Sequence, residues 1–255
     1  MCGILAHFNS NFNSFNVKEF IEEMCYMRRR GDRGVGLGII YKNGDFEVVK
    51  NMESVLNMGQ FIRDYYDKME KVFSNPNTWA VLMHGRKPAF AHSKNGTQPF
   101  YSKRFFLMHQ GAVFSIFDYL PLNPNYRYSC DTDSERMLSY FMKYDNDVDF
   151  SPVNVMEELY YQIGEIGIIA IYDRFTKSLY FYRDDVRWLY YEESDNGNLK
   201  KVWNLKSCSI IFANDWLKEC VTGIYRIKVG KSKLELIKRL SGTKKTFLKN
   251  WRKRR

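Results

Sequence analysis

Apolar residues recur along the chain with two different periods, and the switches between them mark out elements. Residues 2–8, Cys-Gly-Ile-Leu-Ala-His-Phe, are apolar nearly throughout, the pattern of a short buried strand, and an Asn/Ser-rich turn over 9–16 follows. Val17, Phe20, Ile21, Met24 and Met27 then repeat at helical spacing behind Asn16, with Glu19 three residues on, until Gly31 stops the helix. Val35–Tyr41 and Phe46–Val49 flank Asn43-Gly44, the dipeptide best suited to a tight hairpin turn. The pattern predicts a helix over 51–73, a loop at Asn75–Asn77, and strands at Trp79–His84 and Phe105–His109. A polar, proline-bearing loop from Tyr119 to Asp133 leads into helices at Ser134–Tyr144 and about 154–163, the second capped by Asn154. Further strands are expected at Ile166–Tyr172, Leu179–Arg183, Ser209–Ala213, Ile224–Val229 and Leu234–Ile237. Strands outnumber helices and join by hairpins, which predicts an α+β fold and not a doubly wound dinucleotide-binding sheet. The glycines between Arg30 and Gly38 precede a strand instead of opening a helix, the wrong context for cradling a phosphate.

Composition sets the scale. A chain of 255 residues, 45% hydrophobic and 27% charged, is expected to form one large domain or at most two. Its longest apolar runs, such as Ile166–Ile171, fall far short of the roughly 20 residues that span a bilayer, so no membrane partner is expected. The first residues also lack the basic region of a secretory signal. The net charge of +10 is unevenly placed: residues 228–255 hold twelve Lys or Arg against one acid, Glu235, and residues 1–227 are near neutral. Residues 1–227 are therefore expected to be the folded body. Residues 228–255 read as a basic C-terminal extension, compatible with contact to nucleic acid or another polyanion. Five cysteines, at 2, 25, 130, 208 and 220, show no CxxC spacing, and the four histidines show no ligand spacing. A reducing, cytoplasmic setting is expected, with neither a disulfide framework nor a metal.

Cys2 differs from the other cysteines by its position. Removal of an initiator methionine is favoured before a small residue, so a chain beginning Met-Cys-Gly is expected to expose Cys2 as its own N-terminus. Nucleophile and base are then one residue, with a thiol of ordinary pKa about 8.5 beside an α-amine of about 7.7–8.0. Such a nucleophile needs no separate histidine.

Six short motifs accompany that cysteine: MCGI at the start, RGDRGVG near residue 30, HGR at 84–86, NGTQPF at 95–100, FLMHQGAV at 106–113 and DTDSE at 131–135. They stand in the order found in class II glutamine amidotransferases, and the chain resembles the glutaminase domain of that family from Cys2 to about Asp184. The resemblance implies a four-layered α-β-β-α sandwich of the N-terminal-nucleophile hydrolase type. It implies an activity as well: release of ammonia and glutamate from L-glutamine through a Cys2 thioester, without a cofactor, the ammonia expected to pass to a separate synthetase partner, or else a γ-glutamyl amide expected to be cleaved on the protein's own account.

The same resemblance assigns roles to single residues. Gln110 and Gly111 stand where the family has an Asn-Gly pair that holds the oxyanion, Arg86 where an arginine grips the substrate α-carboxylate, and Asp133 where a carboxylate accepts from the α-ammonium with the Gly111 carbonyl. Asp133 also suits a helix N-cap. The chain departs from the pattern at three places. Gln110 is one methylene longer than Asn, Lys87-Pro88-Ala89 lacks the hydroxyl that supports the carboxylate, and Arg33 replaces an acid. Two readings follow: a glutamine amidohydrolase using Cys2, and a diverged module of the same fold whose basic tail binds a polyanion.

Overall fold

The computed structural model describes residues 2–9, 16–28, 31–50, 57–87, 96–113, 115–130, 132–194, 197–203 and 217–240. Along the chain these form β1 (Gly3–Phe8), α1 (Val17–Met27), β2 (Arg33–Tyr41), β3 (Phe46–Lys50), α2 (Met58–Ser74), β4 (Thr78–Arg86), β5 (Phe100–Tyr101) and β6 (Phe105–Gln110). There follow α3 (Ile116–Tyr119), α4 (Asp133–Phe141), a 3-10 turn at Met142–Tyr144, α5 (Pro152–Ile163), β7 (Ile168–Asp173) and β8 (Ser178–Arg183). The series ends with β9 (Tyr190–Glu193), β10 (Leu199–Trp203), β11 (Leu217–Glu219), β12 (Gly223–Lys228) and β13 (Glu235–Arg239). The strands make a seven-stranded sheet of order β11-β9-β10-β1-β4-β2-β3 and a six-stranded sheet of order β13-β12-β8-β7-β6-β5. The ladders between these named strands are antiparallel.

Successive side chains of a strand point to opposite faces, so strands that are apolar throughout must be covered on both sides. Here that requirement builds four layers. Ile4, Ala6, Phe8, Ala80 and Leu82 of the first sheet meet Phe106, Met108, Ile168, Ala170 and Phe181 of the second in one core. The alternate residues Leu5, Val35, Leu37, Val81 and Met83 face outward onto Phe20 and Met24 of α1 and Phe61 and Met69 of α2. On the far side Phe105, Leu107, Ile169 and Ile171 face Met137, Leu138 and Phe141 of α4 and Val155, Met156 and Leu159 of α5. The chain is thus an α+β sandwich, with helices outside two face-to-face sheets, as expected. No described helix is long and apolar enough to cross a membrane.

Local chemistry moved some boundaries. The helix expected from 154 begins at Pro152, because Ser151 caps it by accepting from the Val153 N–H and proline favours the first helical position. The helix expected from 51 is described from Met58, capped by Asn57, whose side chain accepts from the Gln60 N–H; residues 51–56 lie outside the described residues. The strand expected at Ser209–Ala213 also lies outside them. β9, β10 and β11 were not expected, since Tyr-Tyr-Glu-Glu and Leu-Lys-Lys-Val-Trp carry charges where a strand pattern would show apolar residues. The charges are met by partners: Lys201 on β10 reaches Glu19 and Glu23 of α1, each at 2.6 Å, and His7 on β1 meets Glu23 at 2.5 Å. The second sheet crosses the expected boundary at 227/228. β12 pairs with β13, and Leu240 is buried with its N–H on the Thr222 carbonyl, so residues 228–240 belong to the folded body.

Candidate active site

Three strands deliver their chemistry to one end of the space between the sheets. In the β1–β4 ladder Gly3 lies opposite Gly85 and Ile4 opposite His84, so one further step places Cys2 beside Arg86. Alternation puts Cys2 on the face of Ile4 and Ala6, and His84 and Arg86 on the face of Ala80 and Leu82, all toward the second sheet. On β6, Gln110 shares the inward face of Phe106 and Met108. The ends of β4 and β6 meet there, where His84 Nε2 donates to the His109 carbonyl at 3.2 Å.

Cys2 is partly exposed as a residue, while its thiol is enclosed. Burial pushes that thiol above its ordinary pKa; a hydrogen bond from the Lys87 backbone and the Arg86 charge pull it down, and Asp133 pushes it up. The nucleophile expected from the sequence therefore lies within the electrostatic reach of both expected clamp residues.

Glycines bring Arg86 into place. Gly34, Gly36 and Gly38 alternate along β2 with Val35, Leu37 and Ile39, whose side chains occupy the helix-facing core. Gly34 has φ +60°, and a Cβ there would stand 3.4 Å from Cβ of Arg86 and 2.9 Å from Thr97 Oγ1. A Cβ on Gly36 would lie 2.1 Å from the Gln98 carbonyl oxygen, and one on Gly38 would lie 2.9 Å from the Phe106 ring. The glycine run that offered no phosphate cradle thus serves as a bare rail on which residues 97–98 and Phe106 rest. Gly96 lies against the guanidinium itself, since a Cβ there would be 2.4 Å from Arg86 Nη1.

The Gln110-Gly111 turn is held by a buried polar network. His109 donates its backbone N–H to Gln98 Oε1 at 2.5 Å and its Nε2 proton to the Ile166 carbonyl at 2.7 Å, and its Nδ1 lies 2.9 Å from Ser134 Oγ. Gln98 Nε2 donates to the same Ser134 Oγ at 3.0 Å. A Cβ on Gly111 would meet the Ile166 carbonyl oxygen at 2.4 Å, so only glycine lets the turn approach that strand entry. Asp184 anchors the approach from behind, accepting from the N–H groups of Gly167, Val186 and Arg187 at 2.6, 3.0 and 2.8 Å.

Asp133 is not the helix cap that its position suggested. Thr132 takes that place, its hydroxyl accepting from the Glu135 N–H at 3.2 Å, and Asp133 is the first residue of α4. One Asp133 oxygen accepts from the Ser134 N–H at 2.8 Å and the other from the Val113 N–H at 2.9 Å, which ties the helix start to the chain two residues beyond Gly111. Cys2, Arg86 and Asp133 thus come together, and the Gln110-Gly111 turn is tied to Asp133 through Val113 and His109. Sequence reasoning passed over Gln98, Ser134, His84 and Asp184. The first three sit inside the NGTQPF, DTDSE and HGR motifs, but their hydrogen bonds join segments far apart in the chain. Among the described residues, no cluster of His, Cys, Asp and Glu suits a metal ion.

Two packed sheets with helices outside form the four-layered fold that the resemblance to the N-terminal-nucleophile hydrolases led one to expect. Within that architecture the resemblance is to the class II glutamine amidotransferases, and comparison with known proteins agrees. A glutamine–fructose-6-phosphate aminotransferase (isomerizing) of Francisella tularensis is 26% identical over 182 residues, which are 70% of this chain and 28% of that protein. Among solved structures, the allosteric regulatory enzyme of purine biosynthesis matches with a TM-score of 0.64 at 15% identity, over 93% of this chain and 49% of its own. A glutamine phosphoribosylpyrophosphate amidotransferase from B. subtilis, complexed with ADP and GMP, matches with a TM-score of 0.58 at 12% identity and the same coverage. The chain therefore spans less than half the length of each of these proteins. No family model matches it.

Proposed function

We propose that the chain releases ammonia from the side-chain amide of L-glutamine, with Cys2 as nucleophile after loss of Met1. The observation that supports this reading is that the Cys2 thiol lies within electrostatic reach of both Arg86 and Asp133, a cation and an anion suited to an amino acid's two charged ends. Arg86 grips the α-carboxylate as a bidentate fork, and Asp133 with the Gly111 carbonyl accepts from the α-ammonium. The freed α-amine of Cys2 takes the thiol proton as sulfur attacks the amide carbon, and the oxyanion is held by the Gln110 side-chain amide and the Gly111 N–H. Collapse expels ammonia, to which the amine returns the proton, and leaves a thioester. Water then releases glutamate. The ammonia passes to an acceptor enzyme, the role that would join this activity to a synthetase partner.

The test has two parts. Intact mass must show the loss of one methionine, and a coupled glutamate assay on that material must show turnover that Cys2→Ala abolishes. Turnover unchanged by Cys2→Ala removes the thioester. Confirmed loss of Met1 with no turnover in the presence of an acceptor removes catalysis. The reading that then leads is a binding module with a basic tail, whose residues 241–255 lie outside the described residues.

A further inference from the structure

The Thr97 hydroxyl is buried beside Arg86 and has no hydrogen-bond partner, although the residue is only 1% exposed. Buried polar atoms are nearly always paired, and an orphaned one at a candidate site points to a partner that arrives from outside. Its surroundings say which kind. A single Cβ placed on Gly34 would lie 2.9 Å from Thr97 Oγ1 and 3.6 Å from Cδ of Arg86, so the hydroxyl and the arginine side chain flank one glycine. The preceding residue, Gly96, backs directly onto the guanidinium.

Nor is Thr97 free to turn its backbone away. Lys50 Nζ donates to the carbonyls of Thr97 and Pro99, each at 3.1 Å, and the Gln98 side chain is pinned by His109 and Ser134. The hydroxyl is thus left unsatisfied on a segment anchored at Thr97 and at the two residues that follow it. We infer that Thr97 Oγ1 donates to the substrate α-carboxylate that Arg86 grips, which makes Thr97 a specificity-determining residue for free α-amino acids. The inference rests on the proposed glutamine site. A carboxylate held by a guanidinium fork keeps a lone pair on each oxygen, and a neighbouring hydroxyl can satisfy one of them. Lys87-Pro88-Ala89, the segment just after Arg86, has no hydroxyl to offer.

The experiment measures binding without turnover, by calorimetry in the Cys2→Ala background, with L-glutamine and with L-glutamine α-amide, which lacks the carboxylate. Thr97→Val replaces the hydroxyl by a methyl of the same size, and is expected to raise the Kd for glutamine roughly ten-fold or more, the loss of a hydrogen bond to a charged group. Thr97→Ser is expected to stay close to the parent, and the α-amide is expected to bind weakly and equally to the parent and to Thr97→Val. The thermal midpoint of Thr97→Val should be no lower than that of the parent, because no bond within the protein is lost. Unchanged glutamine affinity in Thr97→Val overturns the inference while leaving the glutamine site standing. Equal losses for glutamine and its α-amide, or a lowered midpoint, overturn it in favour of a structural role. If the Cys2→Ala parent itself binds no glutamine, the site and the inference fall together.

Discussion

At the scale of single residues, the Cys2 thiol is caught between burial and Asp133, which favour the neutral thiol, and Arg86 and the Lys87 backbone, which favour the thiolate. Its alkylation by iodoacetamide is therefore expected to rise with pH to a midpoint above the ordinary thiol value of about 8.5, as mass spectrometry over a pH series would show. Arg86→Gln should move the midpoint higher and Asp133→Asn lower; a midpoint at or below about 8.5 would contradict this balance. For Gln110, 1% exposed at the end of β6, the expected result of Gln110→Ala is a kcat lower by about 10²–10³ with KM little changed, as for loss of one oxyanion donor. His84 poses a different question. It is fully buried, its Nδ1 has no partner, and burial pushes its pKa down to about 3. The neutral ring is the one the fold accepts. An unfolded chain takes up the proton at about pH 6.5, so the contribution of His84 is complete above that pH and is lost as pH falls toward 3. Urea unfolding should show His84→Gln most destabilising relative to wild type at pH 7 and progressively less so toward pH 4. A constant difference across that range would sink the assignment. The ordered motifs of the sequence singled out Cys2, Arg86 and Asp133, which the fold brings to one end of the sandwich, whatever their roles. They did not single out Thr97 and His84, because an unpaired atom is a property of three-dimensional surroundings.

Elements show how the site is carried and how much of it a one-dimensional pattern can hold. β1, β4, β6 and β7 are buried on both faces, and continuous apolar runs gave them away. β9 and β10 escaped notice because tertiary ion pairs, with Lys201 between Glu19, Glu23 and Glu192, replace the apolar residues that a pattern search needs. One helix start moved for a more local reason: Ser151-Pro152 wins over Asn154, since Ser151 caps the first turn and proline at the first helical position lacks only an N–H that would have no partner there. The β2 rail was visible as glycines but not as a rail. Its meaning depends on Phe106, almost seventy residues on. Gly38→Ala should therefore cost about 1–3 kcal/mol in urea denaturation, the usual penalty for overpacking a core. Combined with Phe106→Leu, which clears the space, the second substitution should be milder than the two single costs added. Strict additivity would show that the Cβ and the ring do not meet.

The whole molecule is a sandwich whose layers were foreseen and whose limits were not. A charge count drew the edge of the folded body at 227, but charge on an outer strand is solvated and says little about pairing, and β13 is exposed along its length while still extending the sheet. A chain ending at residue 240 is expected to elute earlier from a heparin column than the full chain, having lost seven Lys or Arg. Ending it at 227 should lower the thermal midpoint, because β12 loses its outer partner and Leu240 leaves the core under α5. Equal midpoints for the two truncated chains would return the boundary to 227. The closeness of backbone to backbone at Gly36 and Gly111 bears on inheritance. Every missense change of a glycine codon adds at least a Cβ, and at these two positions that atom would meet a carbonyl oxygen at 2.1 or 2.4 Å. Beyond its synonymous codons, neither glycine has a neutral neighbour in the genetic code. A lineage could drift widely over its helices and outer strands and keep the sandwich, yet a single nucleotide at either glycine would be enough to disturb the end where the chemistry is gathered.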